Sequence, residues 1–374
     1  MNVVEIPAMI IRGGTTKGIY IRTKDLPSDE LQRDAAILSL FGSPDTRQVN
    51  GLGGGDPLTS KVALIEISDN PEADIDYRSG EVGIDEAKIN YSTMCGNLAS
   101  GAALYAISSG IVPLSSPVTE VRIRNLNTGK FLKASVPVEG SSVVLQSCHD
   151  IDGVQGYGSK IEMSFVAPAG SITGALLPSG NVKDYLQIND QSYECSIVDC
   201  GTLYAFFRYS LFRLRGDESP QDLDRNSQFK GTIEALREAV AARVTEQLGR
   251  AMLPRQIKMC VLAEPLALAE QNGGVRIEAK VVNRYKTHKA FPVTGAICVS
   301  AAVSIPGTLL HLDGCGSGSE QRVHIHHPSG SMWVSAQVAV DGQDVEILNT
   351  SVLRSARVLQ KGTGYAVLPS KGKS

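Results

Sequence analysis

The sequence is poor in several things, and each shortage excludes something. It holds one Trp, and aromatic residues make up 5% of it. No apolar run reaches the roughly 20 residues that a membrane-spanning helix needs. Neither sign of charge dominates: 36 Lys+Arg stand against 39 Asp+Glu, a formal net charge of -3. That balance argues against nucleic acid as a bulk electrostatic partner. It leaves room for an anionic small molecule, which needs only a local site. There is no CxxC. The seven cysteines, Cys95, Cys148, Cys195, Cys200, Cys260, Cys298 and Cys315, are odd in number and irregularly spaced. A disulfide framework is not expected, and a reducing cytoplasm fits. G-x-S-x-G and G-x-G-x-x-G are both missing, so serine-hydrolase and dinucleotide readings have no local support. The opening MNVVEIPAMIIRGG has no basic stretch followed by an apolar run and a small-residue cleavage site. It reads as a first strand rather than a signal peptide.

What the chain does have is 374 residues, 42% of them hydrophobic and 20% charged. That is enough for two domains of ordinary size, each with its own core. Strand-like segments dominate: AMIIRG, KGIYIR, KVALIEIS, TEVRIRNL, SVVLQS and KIEMSFVA. Helices are expected over residues 29–41 and 232–248. In the second, Ile233, Leu236, Val240, Val244 and Leu248 share a face and Gly249 supplies a stop. Residues 215–226 and 149–160 read as polar surface loops. The pattern is α+β rather than alternating βαβ.

A weak internal repeat runs through the chain. TMCGNLASGAALYA (93–106) is similar to PVTGAICVSAAVSI (292–305), and IRGGTTKGIYI (11–21) to VDCGTLYAFF (198–207). Two similar lobes follow, residues 1–183 and 184–374, joined near LPSGNVKDYLQIND and with the last residues free to cross back to the first lobe. Each lobe would have one small-residue helix whose N-terminus offers unpaired N–H groups and partial positive charge. Such a pair suits a carboxylate-rich ligand.

Each candidate for chemistry has a plain reading beside the functional one. Cys95 is either a buried cysteine opening a core helix or a thiol activated by the helix N-terminus. Gly96 would let a ligand approach the backbone, and Asn97 with the first-turn amides would bind a carboxylate. In NGLGGGDPLTSKVALIEI the order Thr59-Ser60-Lys61 is not that of a phosphate loop. Lys61 is either a surface lysine at a strand start or a lysine desolvated in a cleft, whose pKa falls so that it serves as a neutral base. RGGTTKG (12–18) is either a hairpin turn or a carboxylate cradle built from Thr15, Thr16 and backbone N–H, with Arg12 or Lys17 alongside. VHIHHPSGSMWV holds three of the six histidines, with His324 and His326 on one strand face, but no further zinc ligands stand at suitable spacing. Its HPSG turn puts Ser329 and Gly330 at a site mouth.

Taken together, IPAMIIRGGTTKGIYI, GGGDPLTSKVALI, MCGNLASGAALYAI, HKAFPVTGAICVSAAVSIPGT, HHPSGSMWVSAQ and SVLRSARVLQKG, in that order, closely resemble the PrpF family. Its members isomerise methylaconitate and related unsaturated acids and have the two-lobed diaminopimelate epimerase-like fold. The resemblance runs from about residue 5 to 368 and thins between about 140 and 255. It implies a curved sheet around a central helix in each lobe, with the active site in the cleft between lobes. It implies that Lys61 is the proton-abstracting base and Cys95 its partner. Thr294 then stands where diaminopimelate epimerases carry a second cysteine, followed by Gly295, which disfavours a symmetric two-thiol racemase. The family's usual GGTSKG has Thr16 at the serine here. Asp56 and Pro57 replace residues that are commonly small or hydroxylic, and Thr202 stands where members often have Asn or a small residue. These departures bear on the substrate rather than on the chemistry.

The expected reaction is cofactor-independent and metal-free: a 1,3-allylic or cis-trans isomerisation of an unsaturated di- or tricarboxylate such as methylaconitate or aconitate. Lys61 and Cys95 carry the proton. Arg12, Thr15, Thr16, Lys17, Ser60, Gly96, Asn97, Thr294, Gly295, Ala296 and Ser329 are the expected substrate contacts. The alternatives are a 4-oxalomesaconate-type tautomerase, an amino-acid racemase or epimerase, and a non-catalytic carboxylate-binding accessory to a dehydratase. The expected partners are a small carboxylic acid and, for assembly, a second copy in a homodimer, with neither nucleic acid nor membrane among them.

Overall fold

The computed structural model describes residues 2–92, 94–147, 152–264, 268–269, 274–283, 286–312, 320–341 and 344–368. Cys148, Cys315 and residues 149–151 of the expected loop lie outside the described residues. Among the described residues no helix is long and apolar enough to cross a membrane. The chain divides into two compact units. The first comprises Met1–Asp150, Val154–Met163 and Arg354–Ser374; the second comprises Ile151–Gly153 and Ser164–Leu353. Residues 164–183, which the sequence reading placed in the first lobe, thus fall in the second unit, and the C-terminal strand returns to the first.

The first unit is a mixed sheet between two helices. Its strands are β1 (Asn2–Gly13), β2 (Thr16–Arg22), β3 (Lys61–Ile67), β4 (Ile75–Val82), β5 (Val118–Asn125), β6 (Phe131–Glu139) and β7 (Tyr157–Val166). β1 and β2 pair antiparallel, β2 and β3 parallel, β3 and β4 antiparallel, β4 and β5 parallel, and β5 and β6 antiparallel. Helix α1 (Glu30–Phe41) is capped by Asp29, whose carboxylate accepts from the Gln32 N–H, and ends at Gly42 in the left-handed region. Its Ile37, Leu40 and Phe41 pack with Val62 and Leu64 of β3. Helix α2 (Gly96–Ser108) covers the other face and packs on β1, β2 and β4. It is buried from Gly96 to Ile107, so it must be slim, and the sequence provides Gly, Ala and Ser at most positions. The first five residues of β3 are buried, which explains its unbroken apolar run.

The second unit repeats this plan. Its strands are β8 (Asp184–Ile188), β9 (Gln191–Cys200), β10 (Thr202–Arg208), β11 (Lys258–Leu262), β12 (Val275–Val282), β13 (Gln321–His327), β14 (Gly330–Asp341) and β15 (Asp344–Leu368). From β9 to β14 the pairings run antiparallel, parallel, antiparallel, parallel, antiparallel, the same series as β1 to β6. Helix α5 (Val293–Ser304), buried throughout, falls between β12 and β13 as α2 falls between β4 and β5. The turns match as well, with Gly14 and Gly201 both at positive φ. Two similar α+β units are therefore present, as the repeat implied. β15 continues into the first unit, where it pairs with β1.

Several local expectations are corrected. The segment 215–226 contains helix α3 (Pro220–Arg225), closed by a capping box between Ser219 and Asp222. Helix α4 (Ser227–Leu248) starts five residues before position 232, on an Asn226 cap, and buries Phe229 with Ile233, Leu236, Val240 and Val244. The expected linker 177–190 contains β8, and residues 157–160 of the expected loop open β7. SVVLQS breaks into two two-residue strands, Ser142–Val143 and Gln146–Ser147. β4 escaped the sequence reading because DYRSGE breaks its apolar pattern.

Candidate active site around Lys61 and Cys95

β3 opens on Lys61, and the antiparallel register sets Glu81 of β4 directly opposite. Directly opposed residues point to the same face. The two side chains meet there, with Lys61 Nζ 2.7 Å from Glu81 Oε1. The lysine side chain is 10% exposed and the glutamate side chain 47%. Burial, the largest single effect on Lys61, pushes its pKa down. The Glu81 carboxylate, the Cys95 sulfur and the hydrogen bond to Glu81 together outweigh burial, so the ammonium is held above the ordinary lysine range. This corrects the expectation that desolvation would leave a neutral amine: the resting lysine is charged because a carboxylate accompanies it into the protein.

Cys95 is the N-cap of α2, half-buried, and free. Its backbone is fixed from β4. Ser79 Oγ accepts the Cys95 N–H at 2.9 Å, and Tyr77 Oη donates to the Cys95 carbonyl at 2.8 Å. Tyr77, Ser79 and Glu81 alternate along one strand, so one face of β4 addresses both candidate residues. None of the three is marked by a local sequence string. The signal they do carry is the period-two spacing of polar groups along β4.

The first intrahelical bond at this end of α2 is Ala99 N–H to the Cys95 carbonyl. The N–H groups of Gly96 and Asn97 precede it and are left by helix geometry for a ligand or solvent. The Gly13-Gly14 turn lies against this helix start. A Cβ on Gly13 would fall 2.2 Å from the Asn97 carbonyl oxygen, and one on Gly14 2.2 Å from Asn97 Oδ1. Asn97 Nδ2 reaches Thr15 Oγ1 at 3.2 Å and Thr16 Oγ1 at 3.5 Å. The expected cradle is thus closed on one side by Asn97 itself.

Other expected contacts have structural partners. Arg12 donates to the Gly14 carbonyl at 2.9 Å and to Ser355 Oγ at 2.8 Å, which ties the turn to β15. Lys17 stands opposite Arg12 in the strand pair, and its N–H bonds the Leu58 carbonyl at 2.9 Å. Ser60 is buried, and its hydroxyl donates to Gln48 Oε1 at 2.7 Å. That oxygen also accepts the Gly55 N–H at 2.9 Å. Ser60 and Gln48 together anchor the glycine-rich loop.

The second unit's candidates need a shift in register. The N-cap of α5 is Pro292, and Thr294 is the second helical residue rather than the helix start. The Ala296 N–H already bonds the Pro292 carbonyl at 3.0 Å, because the fourth amide of a helix is the first with an internal acceptor. Ala296 therefore offers no backbone donor, whereas Gly295 lies among the amides that precede that bond. A side chain at Gly295 would collide with Tyr204 Oη at 2.7 Å. Ser329 is exposed in the β13–β14 turn, and its hydroxyl donates to the Lys289 carbonyl. His324 and His326 do share a face, with ring centroids 4.3 Å apart, and His324 stacks on Trp333.

The PrpF protein family profile matches residues 3–367. The chain belongs to the PrpF family. A 4-oxalomesaconate tautomerase of Pseudomonas putida is 34% identical over 97% of this chain and 96% of its own length. The crystal structure of a methylitaconate-delta-isomerase matches 100% of both chains with 31% identity and a TM-score of 0.76. A hydroxyproline epimerase from Agrobacterium vitis, at 12% identity and a TM-score of 0.58 over 98% of this chain and 94% of its own, shares the fold alone. The PrpF chain thus has the epimerase-like α+β fold that the sequence implied.

Proposed function

We propose that this isomerase transposes a carbon–carbon double bond in an unsaturated di- or tricarboxylic acid of the methylaconitate or aconitate type, with Lys61 taking the proton from carbon. The observation that carries the reading is a buried, ion-paired Lys61 that feels the sulfur of Cys95 electrostatically, with Cys95 at the N-terminus of a buried helix. A C–H next to a carboxylate or allylic to it is weakly acidic. Its removal becomes fast only when fixed donors stabilise the dienolate. The N–H groups of Gly96 and Asn97 are such donors, and Lys61 supplies the base. Cys95 serves as the second proton carrier or as the group that seats the substrate against Lys61.

The test is proton NMR in deuterium oxide with cis-aconitate, trans-aconitate, methylaconitate, methylitaconate and 4-oxalomesaconate in turn. Double-bond movement with deuterium uptake is the expected result, and Lys61→Ala should abolish it. Turnover of the keto acid alone would select the tautomerase reading, which the likeness to the Pseudomonas tautomerase supports. Full activity in Lys61→Ala would remove the lysine from the mechanism.

A further inference from the structure

Lys61 rests as an ammonium, and an ammonium takes no proton from carbon. We propose that Glu81 is the positioning residue of Lys61, fixing the amine in place and accepting its resting proton so that the amine is freed to act as base. The inference rests on the isomerase reading and adds a residue that the sequence pattern did not reveal.

The geometry supports it in three ways. The strand register puts Glu81 opposite Lys61, so the contact follows from backbone pairing and does not depend on a chance rotamer. The 2.7 Å separation is that of a short charge-assisted hydrogen bond, along which a proton can pass directly. The two side chains differ in exposure, 10% against 47%, so the carboxylate links a nearly enclosed ammonium to solvent. Glu81 is the group hydrogen-bonded to the Lys61 amine. β2 sets Gly18 opposite Lys61, with no side chain to offer. Among the described residues Cys95, the N-cap of α2, also acts on Lys61 electrostatically. Tyr20 and Tyr77 lie near Cys95, and burial pushes both phenols well up, so neither titrates near neutrality.

The step balances. A proton passes from Lys61 to Glu81, which turns ammonium and carboxylate into amine and carboxylic acid. The amine lone pair then takes the substrate proton: the C–H bond breaks, an N–H bond forms, and the electron pair enters the dienolate. The new ammonium protonates the other end of the allylic system, and Glu81 returns the first proton to the amine.

Proton transfer inside the pair does not change its net protonation. The wild-type kcat/KM should therefore be flat through neutral pH, with no limb that tracks Lys61. In Glu81→Gln the lysine can become neutral only by releasing its proton to water. The profile should then acquire an acid limb coinciding with the Lys61 titration, read by NMR of labelled lysine and assigned with Lys61→Arg. That titration should lie at lower pH than in wild type, because the anion is gone while the burial remains. Activity at pH 6 should fall at least tenfold. Glu81→Asp, which keeps the carboxylate at shorter reach, should restore the flat profile at a lower plateau, a rescue that loss of packing alone would not give. The proposal is overturned if wild type turns over and Glu81→Gln stays within threefold of it with no new limb, or if the wild-type limb itself tracks Lys61. If wild type turns over none of the five acids, the isomerase reading fails first and takes this step with it.

Discussion

Gly13→Ala isolates a purely steric demand. Gly13 is outside the positive-φ set, so an alanine there carries no left-handed strain. Its Cβ would nevertheless sit 2.2 Å from the Asn97 carbonyl oxygen and 3.1 Å from both the Asn97 carbonyl carbon and Ser100 Oγ. An ordinary contact begins near 3.4 Å, so the gap must open by about 1 Å, and the obstructing atom is backbone. No side-chain rotation relieves it: either β1 or the head of α2 must retreat. Overpacking of this kind costs about 1–3 kcal/mol. The head of α2 carries Cys95 and the Gly96 and Asn97 amides, so its retreat also misplaces the site, and about 1 Å can cost on the order of 100-fold in rate. Urea denaturation should show the stability loss with an unchanged m-value, and kcat/KM on the accepted substrate should show the rate loss. Gly14→Ala makes a useful comparison. Its clash is with a side-chain atom, Asn97 Oδ1, but its φ of 52° adds left-handed strain. A Gly13→Ala protein with wild-type stability and activity would refute the argument that β1 and α2 are in backbone contact.

Two further outcomes concern β4. Ser79→Ala removes the acceptor of the Cys95 N–H and should destabilise the protein by about 1–3 kcal/mol while slowing thiol alkylation or turnover; unchanged melting and reactivity would count against β4 as the support of Cys95. Asp76 is buried and bonded to Ser68 Oγ at 2.6 Å and Arg124 Nε at 2.8 Å. Burial alone would raise its pKa, but the bonds from Arg124 and Ser68 prevail and hold it below the usual aspartate range. A depressed folded-state pKa gives stability that is present above the unfolded value and is lost as pH falls through the folded one. Asp76→Asn should therefore destabilise the protein at pH 7 and flatten its stability profile below about pH 4; an equally steep acid loss in the variant would assign that loss to other carboxylates.

Much of the plan was legible in the residues themselves. α1 and the body of α4 are legible from the pattern over 29–41, from the apolar face of Ile233, Leu236, Val240, Val244 and Leu248, and from the stop at Gly249, whereas the Asn226 start of α4 is not. The paired MCGNLASGAALYA and VTGAICVSAAVSI segments marked the two buried helices, because only small side chains let a helix sink into a sheet. Lys61 and Cys95 stood out because TSK and CGN are local strings. Local strings carry no partners, however. That Lys61 is charged was decided by Glu81, 20 residues away, through the register of β3 and β4. That Ala296 has no N–H to offer was decided by where α5 begins, one residue before Thr294 and capped by Pro292. Ser60 and Arg12 also carry bonds that no local string shows, one to Gln48 and the other to Ser355, 343 residues along the chain. The sequence by itself determined which segments must be buried and which residues have reactive chemistry, since composition and periodicity are properties of neighbours in the chain. Tertiary structure alone decided the charge state, the aim and the free donors, because these depend on groups that only folding brings within about 3 Å.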